Sequence, residues 1–369
     1  MIFVDGLPFS GPTSSQAQGS DKDLVIALLQ HPTLVSSSNA IKSLPERKVL
    51  FSQEYDGVER STHRKLVYVF QREYATVDPE LVELVGTDEA TTCVGVVIRN
   101  RKTGMTSVSH IDSPNVVDQG LNQMLSLLVD ENSNDELEVH LVGGFEDTSP
   151  ENNAISSEEH SGHSFPLCSM LLHALKNRRE RFHIQTLFVL GHNTGSDSDR
   201  YSYPIMHGFV VETCTGTISP ANFDRTSRCP DEIVRRIRVT VSSGDPTWNR
   251  KLLETYDTKN DRFQIAACSW TSRWKYIAFS LQQLSDSEIL LRCSTSPFVE
   301  GPDFVDNERR ILHLCGVSVG PLPGLRRDSV VFYWSPIFQG FILSKSHQFR
   351  THQLLNAIIS PVPFTIVYL

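Results

Sequence analysis

Cys93 and His110 stand 17 positions apart in the stretch GTDEATTCVGVVIRNRKTGMTSVSHID, residues 86–112. A thiol attacks well only as the thiolate, and a neighbouring imidazole is a common means of generating that thiolate near neutral pH. The intervening residues decide whether the two can meet. CVGVVIR is rich in β-branched residues, MTSVSHI alternates, and NRKTG between them has the polar, glycine-containing composition of a hairpin loop. A loop over Asn100 to Thr103 puts Arg99 opposite Gly104 and Cys93 directly opposite His110, with both side chains on one face. A one-residue slip in register sends one of them to the other face, so the alternative is a buried cysteine beside an ordinary strand histidine.

Other residues nearby have types that suit such a pair. Thr87, six residues before Cys93, is placed to orient the far imidazole nitrogen; otherwise it is a turn residue. Asp112, two residues past His110, projects from the same strand face, where it either orients His110, holds a cationic substrate group, or ends the strand in solvent. The run LEVHLVGG contains His140, read as a satisfied strand histidine, and ends in Gly143 and Gly144. A strand ending in two glycines marks a close backbone approach, by another strand or by a ligand. His160, His163 and Cys168 lack the spacing of a metal site, and no phosphate-binding glycine loop or dinucleotide fingerprint occurs. No cofactor and no metal are expected.

The elements that must position these groups follow from the hydrophobic pattern. MIFVDGLPF reads as a strand, SDKDLVIALLQHP as a helix stopping near Pro32, and residues 33–63 as mostly polar linker with a short element near KVLFSQ. KLVYVFQREYATV alternates as one strand, and Leu121, Met124, Leu125 and Leu128 form a helical core stripe. LEVHLVGGFED is a strand, 148–163 a polar loop, SFPLCSMLLHALKNRRE a helix and FHIQTLFVLG a strand. After a second polar loop, HNTGSDSDRYS, come the strands YPIMHGFVVET, LLETYD and FQIAACSW. Strands dominate and helices interrupt them singly, which predicts mixed sheets with helices on one outer face rather than a βαβ series.

In a chain of 369 residues, 43 acidic residues exceed 34 basic ones, giving a net charge of −9, and no dense basic run occurs, which argues against nucleic acid as a partner. The seven cysteines are scattered without CxxC spacing, as suits a reducing compartment, and the N-terminus has no secretory pattern. The apolar segment VVFYWSPIFQGFIL falls short of the roughly 20 residues that span a bilayer, so no membrane span is expected. The expected location is the cytoplasm or nucleus.

DEATTC, then His110 and Asp112, then LEVHLVGGF, CSWT and STSPFVEGPDFV, in that order, resemble the eukaryotic protein N-terminal asparagine amidohydrolases; MIFVDG and REYATV fit as well. The resemblance runs to about residue 314 and implies one amidase domain over 1–314, followed by an atypical tail over 315–369. Cys93, His110, Thr87 and the Gly-Gly strand are also similar to the pattern of bacterial chemotaxis receptor glutamine deamidases. Together these resemblances imply an α+β fold, a layered α-β-β sandwich of mixed and antiparallel sheets with helices on the outer face. The implied activity is conversion of N-terminal Asn of proteins and peptides to Asp with ammonia release, in the degradation pathway that reads N-terminal residues. Cys93 would be the nucleophile, His110 the proton carrier and Thr87 its orienter. Reading a free α-ammonium calls for a carboxylate, with Asp88, Glu89 and Asp112 as candidates. The rival readings are a deamidase of internal glutamine side chains and a degenerate, non-catalytic binding module.

Overall fold

The computed structural model describes residues 1–10, 21–50, 65–130, 135–147, 162–198, 201–242, 248, 250–266, 272–317, 330–335 and 340–343. At its centre is the antiparallel hairpin Val94–Asn100 and Thr106–Ile111, flanked by Glu73–Val77 on one side and Glu136–Gly143 on the other, both antiparallel to their hairpin neighbours. Arg181–Val189 and Ile2–Val4 then add in parallel, and two short strands, Leu253–Glu254 and Leu7–Pro8, complete an eight-stranded mixed sheet. A second sheet of five strands has Thr217–Phe223, Phe209–Glu212 and Leu84–Thr87 antiparallel at its centre, with Arg47–Val49 and Leu66–Tyr68 parallel at its edges.

Alternation along the hairpin sorts the layers. Val94, Val96 and Ile98 point to one face, where they pack on residues of three helices, Asp21–Leu29, Val117–Leu125 and Ser164–Asn177, including Leu28, Leu121, Met124 and Leu171. Val97 and Val108 point to the other face and meet Val67, Val85, Phe209 and Val211 of the second sheet. The result is an α-β-β sandwich of mixed and antiparallel sheets. A further group of helices, Glu232–Ser242, Ser272–Gln282, Asp286–Cys293 and Phe304–Val317, closes around Ile237, Val241, Ala278, Ile289, Ile311 and Leu312. The helix Phe304–Val317 runs through residue 315, and the strands Val330–Ser335 and Gly340–Leu343 extend a sheet begun by Tyr256–Asp257 and Arg262–Ile265.

Glu73, Arg235 and Arg238 are wholly buried, with Arg235 Nη2 at 2.6 Å and Arg238 Nη2 at 2.9 Å from the Glu73 carboxylate and the Phe70 N–H donating to it at 3.0 Å. Breaking such a pair strands a buried charge and costs about 3–5 kcal/mol. The cluster pins the Glu232–Ser242 helix to the strand beside His110.

Three local expectations are corrected. The hairpin register is shifted: Arg99 faces Thr106, Gly95 faces His110 and Val94 faces Ile111. The cause is chemical, since Asn100 Oδ1 accepts from the N–H of Lys102 and Thr103 and Gly104 takes φ +75°, which moves the turn one residue along. KLVYVFQREYATV is not one strand; Leu66–Tyr68 and Glu73–Val77 lie in different sheets, and Arg72 between them has φ +60°. Pro32, read as a stop, is the first residue of an 11-residue helix, Pro32–Lys42, a position where its missing N–H and fixed φ are favourable. The polar loop of 148–161, His160 included, and the cysteine of CSWT lie outside the described residues.

Candidate active site

The chain crosses from the small sheet to the large one through residues 88–93, and this crossover carries a functional group at each end. Thr87 closes the strand Leu84–Thr87, paired with Phe209, while Cys93 immediately precedes the strand Val94–Asn100. His110 lies opposite Gly95, on the face between the sheets. A Cβ at Gly95 would stand 2.2 Å from Phe209 Cε1, so the missing side chain is what lets the sheets close here. Cys93 stands two residues before Gly95, just outside the strand, and the alternation continued back to it would direct its side chain to the same interior as His110.

The structure brings Thr87 and His110 into contact, with Thr87 Oγ1 2.8 Å from His110 Nδ1. Both residues are buried. Among the described residues the other imidazole nitrogen, Nε2, has no hydrogen-bond partner. Burial holds the His110 imidazole at about 4, against the pull of Asp112, Glu89 and Glu73 in the other direction. Burial also pushes the Cys93 thiol well above its ordinary value, with the carboxylates of Asp112 and Glu300 adding to the effect and Arg72 opposing it. The resting pair is therefore neutral thiol and neutral imidazole.

Gly143 and Gly144 sit beside the segment that carries Cys93. Gly143 pairs with Val94 and has φ +118°, and a Cβ on it would stand 2.6 Å from the carbonyl oxygen of Cys93. The close approach is made by the backbone of Cys93 itself. Gly144 has φ +59° and packs against Ser164, whose hydroxyl donates to the carbonyl of Thr92 at 3.4 Å.

Each of the three candidate carboxylates is held by arginine. Asp88 accepts from Tyr68 Oη at 2.6 Å, the N–H of Phe223 at 2.7 Å and Arg228 Nη2 at 3.0 Å. Glu89, with φ +60°, pairs with Arg228 and with Arg236 Nη1 at 2.9 Å. Asp112 receives Arg72 Nε on both oxygens at 3.1 Å and Gln71 Nε2 at 3.0 Å. His140 is paired at Nδ1 with Thr186 Oγ1 at 3.0 Å, and Cys168 is buried in the helix-covered core.

Sequence reasoning did not single out Arg72, Arg228, Arg236 or Glu300. REYATV and STSPFVEGPDFV contain two of them, but nothing local tells which partner each reaches. The loop 294–300 is stitched to the segment before Cys93 by hydroxyls: Thr92 Oγ1 lies 2.9 Å from Thr295 Oγ1, and Ser296 Oγ donates to Thr91 Oγ1 at 2.8 Å. Among the described residues no group of three or more His, Cys, Asp or Glu is arranged to hold a metal ion, and no helix is long and apolar enough to cross a membrane.

The sequence of the chain matches known proteins. The family model described as protein N-terminal asparagine amidohydrolase matches residues 56–317. The chain is 53% identical over 317 residues to the protein of that name from Arabidopsis thaliana, covering 84% of this chain and 90% of the relative. It is 32% identical over 252 residues to the Mus musculus protein of the same name, covering 67% of this chain and 73% of the relative. The Homo sapiens protein is likewise 32% identical over 252 residues, with the same coverage.

Proposed function

The chain belongs to the protein N-terminal asparagine amidohydrolase family, and from that premise we propose that it is a thiol amidohydrolase that converts the N-terminal Asn of proteins and peptides to Asp, with Cys93 as nucleophile. The observation that carries the reading is the buried His110, tied at Nδ1 to Thr87 and, among the described residues, unpartnered at Nε2, on the face toward which strand alternation directs Cys93. With Nδ1–H donating to Thr87 Oγ1, the lone pair is on Nε2 and available as a base.

In the proposed reaction His110 Nε2 takes the Cys93 proton as Sγ adds to the side-chain carboxamide carbon. The oxyanion is met by fixed donors, the backbone N–H of Cys93 first among them. The imidazolium then protonates the departing nitrogen, ammonia leaves and a thioester remains. Water, deprotonated by the same nitrogen, hydrolyses the thioester to the Asp carboxyl and returns the proton to sulfur. A neutral imidazole suits this sequence, because an already protonated His110 has no site for the thiol proton. Gly143 serves by holding the Cys93 backbone in place. No step calls for a cofactor.

We place the reaction in the reducing cytoplasm or nucleus, upstream of protein turnover that reads the new N-terminal Asp. Ammonia release from a peptide beginning with free Asn tests the reading: wild type releases it and Cys93→Ala does not. Release undiminished in Cys93→Ala removes the thiol mechanism.

A further inference from the structure

Resting on the reaction just proposed, we propose that Glu300 is the carboxylate that receives the free α-ammonium of the substrate chain and so restricts the enzyme to chain termini. Asp88, Glu89 and Asp112 already have arginine as counter-ion. Glu300 is different. Its carboxylate accepts from Ser294 Oγ, and Ser296 Oγ lies at 3.5 Å, while among the described residues no basic side chain pairs with it. The loop that bears it is fastened to Thr91 and Thr92, the two residues directly before the nucleophile. Its charge reaches the Cys93 thiol, where it ranks beside that of Asp112.

A carboxylate held by hydroxyls alone in partly buried surroundings is a site for a cation. Burial holds Glu300 above its ordinary range, against the Ser294 hydroxyl and with Glu89 adding repulsion, so an arriving ammonium relieves an existing cost. Glu308 nearby is less suited, since burial pushes it up to about 7 and leaves it partly protonated at neutral pH. An ammonium also has three donors to satisfy, and the hydroxyls of Thr92 and Ser296 surround the same loop. An internal Asn presents a neutral amide instead, which leaves Glu300 without its partner; rejection follows from the unpaired charge rather than from a clash. The arrangement also links recognition to chemistry. A bound ammonium cancels a negative charge that holds the Cys93 proton on sulfur.

The test compares Asn-initiated peptides with free and acetylated N-termini on wild type, Glu300→Gln and Glu300→Asp, reading kcat and KM from ammonia release. Thermal unfolding confirms that each variant is folded. Wild type prefers the free amine, and Glu300→Gln raises KM for it by about tenfold to a hundredfold, the worth of a hydrogen bond to a charged group. The acetylated peptide gains rather than loses in Glu300→Gln, because the unpaired charge that rejects it is gone, so the preference for the free amine collapses from both sides. Glu300→Asp keeps the charge and retains part of the preference, and the same ratio decides from that variant if the Gln form does not fold. An undiminished preference for the free amine in Glu300→Gln overturns the inference while leaving the thiol reaction standing. A folded wild type that releases no ammonia from either peptide removes the reaction and the inference together.

Discussion

Gly143→Ala asks whether the second glycine-bearing strand positions the nucleophile. At φ +118° the residue lies outside even the left-handed region that other residues occasionally adopt, and holding an alanine there costs about 1–3 kcal/mol. The new methyl would stand 2.6 Å from the Cys93 carbonyl oxygen and 3.4 Å from Val94 Cα. Restoring an ordinary contact requires about 0.8 Å of movement. Cys93 immediately precedes the strand and lies outside the ladder that begins at Val94, so the displacement falls on Cys93. A misplacement of about 1 Å is worth about a hundredfold in rate, so a loss in kcat of about tenfold or more is expected. Gly144→Ala is the control. Its φ of +59° lies in the left-handed well, and its methyl would meet Ser164 Cβ at 3.3 Å, so about 1–2 kcal/mol of stability is lost and kcat changes little. Urea unfolding and kinetics of ammonia release on both variants check the claim. A folded Gly143→Ala enzyme with wild-type kcat, or a Gly144→Ala enzyme slower than it, refutes the argument.

Thr87→Val removes the partner at 2.8 Å from His110 Nδ1. It is expected to lower kcat by about tenfold to a hundredfold and stability by about 1–3 kcal/mol, while Thr87→Ser, keeping the hydroxyl, recovers most of both; equal kcat in all three proteins would contradict the orienting role. Protonation gives a separate check. His110 and His140 are both held at about 4 by burial, below the unfolded value of about 6.5, so the unfolded chain binds more protons in that window. Stability is therefore complete above about pH 6.5 and is lost as pH falls toward 4, by as much as about 3 kcal/mol for each histidine. Tm measured at pH 7.5 and pH 5 should fall accordingly, and the acid limb of kcat/KM for the folded enzyme should lie well below 6.5; a Tm that is flat over this range would contradict neutral burial of both rings.

The parts of this site that were legible in the sequence are those governed by alternation. Moving the hairpin turn by one residue changes every cross-strand partner but leaves each side chain on its face, because the pairing shifts by two. Cys93 lost His110 as its direct opposite, while His110 faces the space between the sheets, the side toward which the same alternation directs Cys93. Alternation carries a reading of faces through a two-residue shift in pairing, whereas a reading of contacts does not survive it. Thr87 was legible for a related reason, since only six residues separate it from Cys93 and the crossover between sheets is short. The Gly-Gly signal likewise pointed to a close approach without naming what approached.

The charged groups around the site were not legible, and the reason is distance along the chain. Arg228 and Arg236 reach Asp88 and Glu89 across more than 130 residues, and Ser296 reaches Thr91 across 205. No period or spacing encodes such contacts; they follow from where the Glu232–Ser242 helix and the 294–300 loop are packed. This explains why sequence proximity to Cys93 favoured Asp88, Glu89 and Asp112 as ammonium receivers. Nearness in sequence finds carboxylates but not their counter-ions. A carboxylate already bound by a guanidinium gains little from an ammonium, because the charge it would neutralise has been neutralised, whereas one held by hydroxyls still carries that charge. In the proposed reading the receiver of the substrate ammonium is carried by a loop some two hundred residues beyond Cys93, where no local spacing points to it.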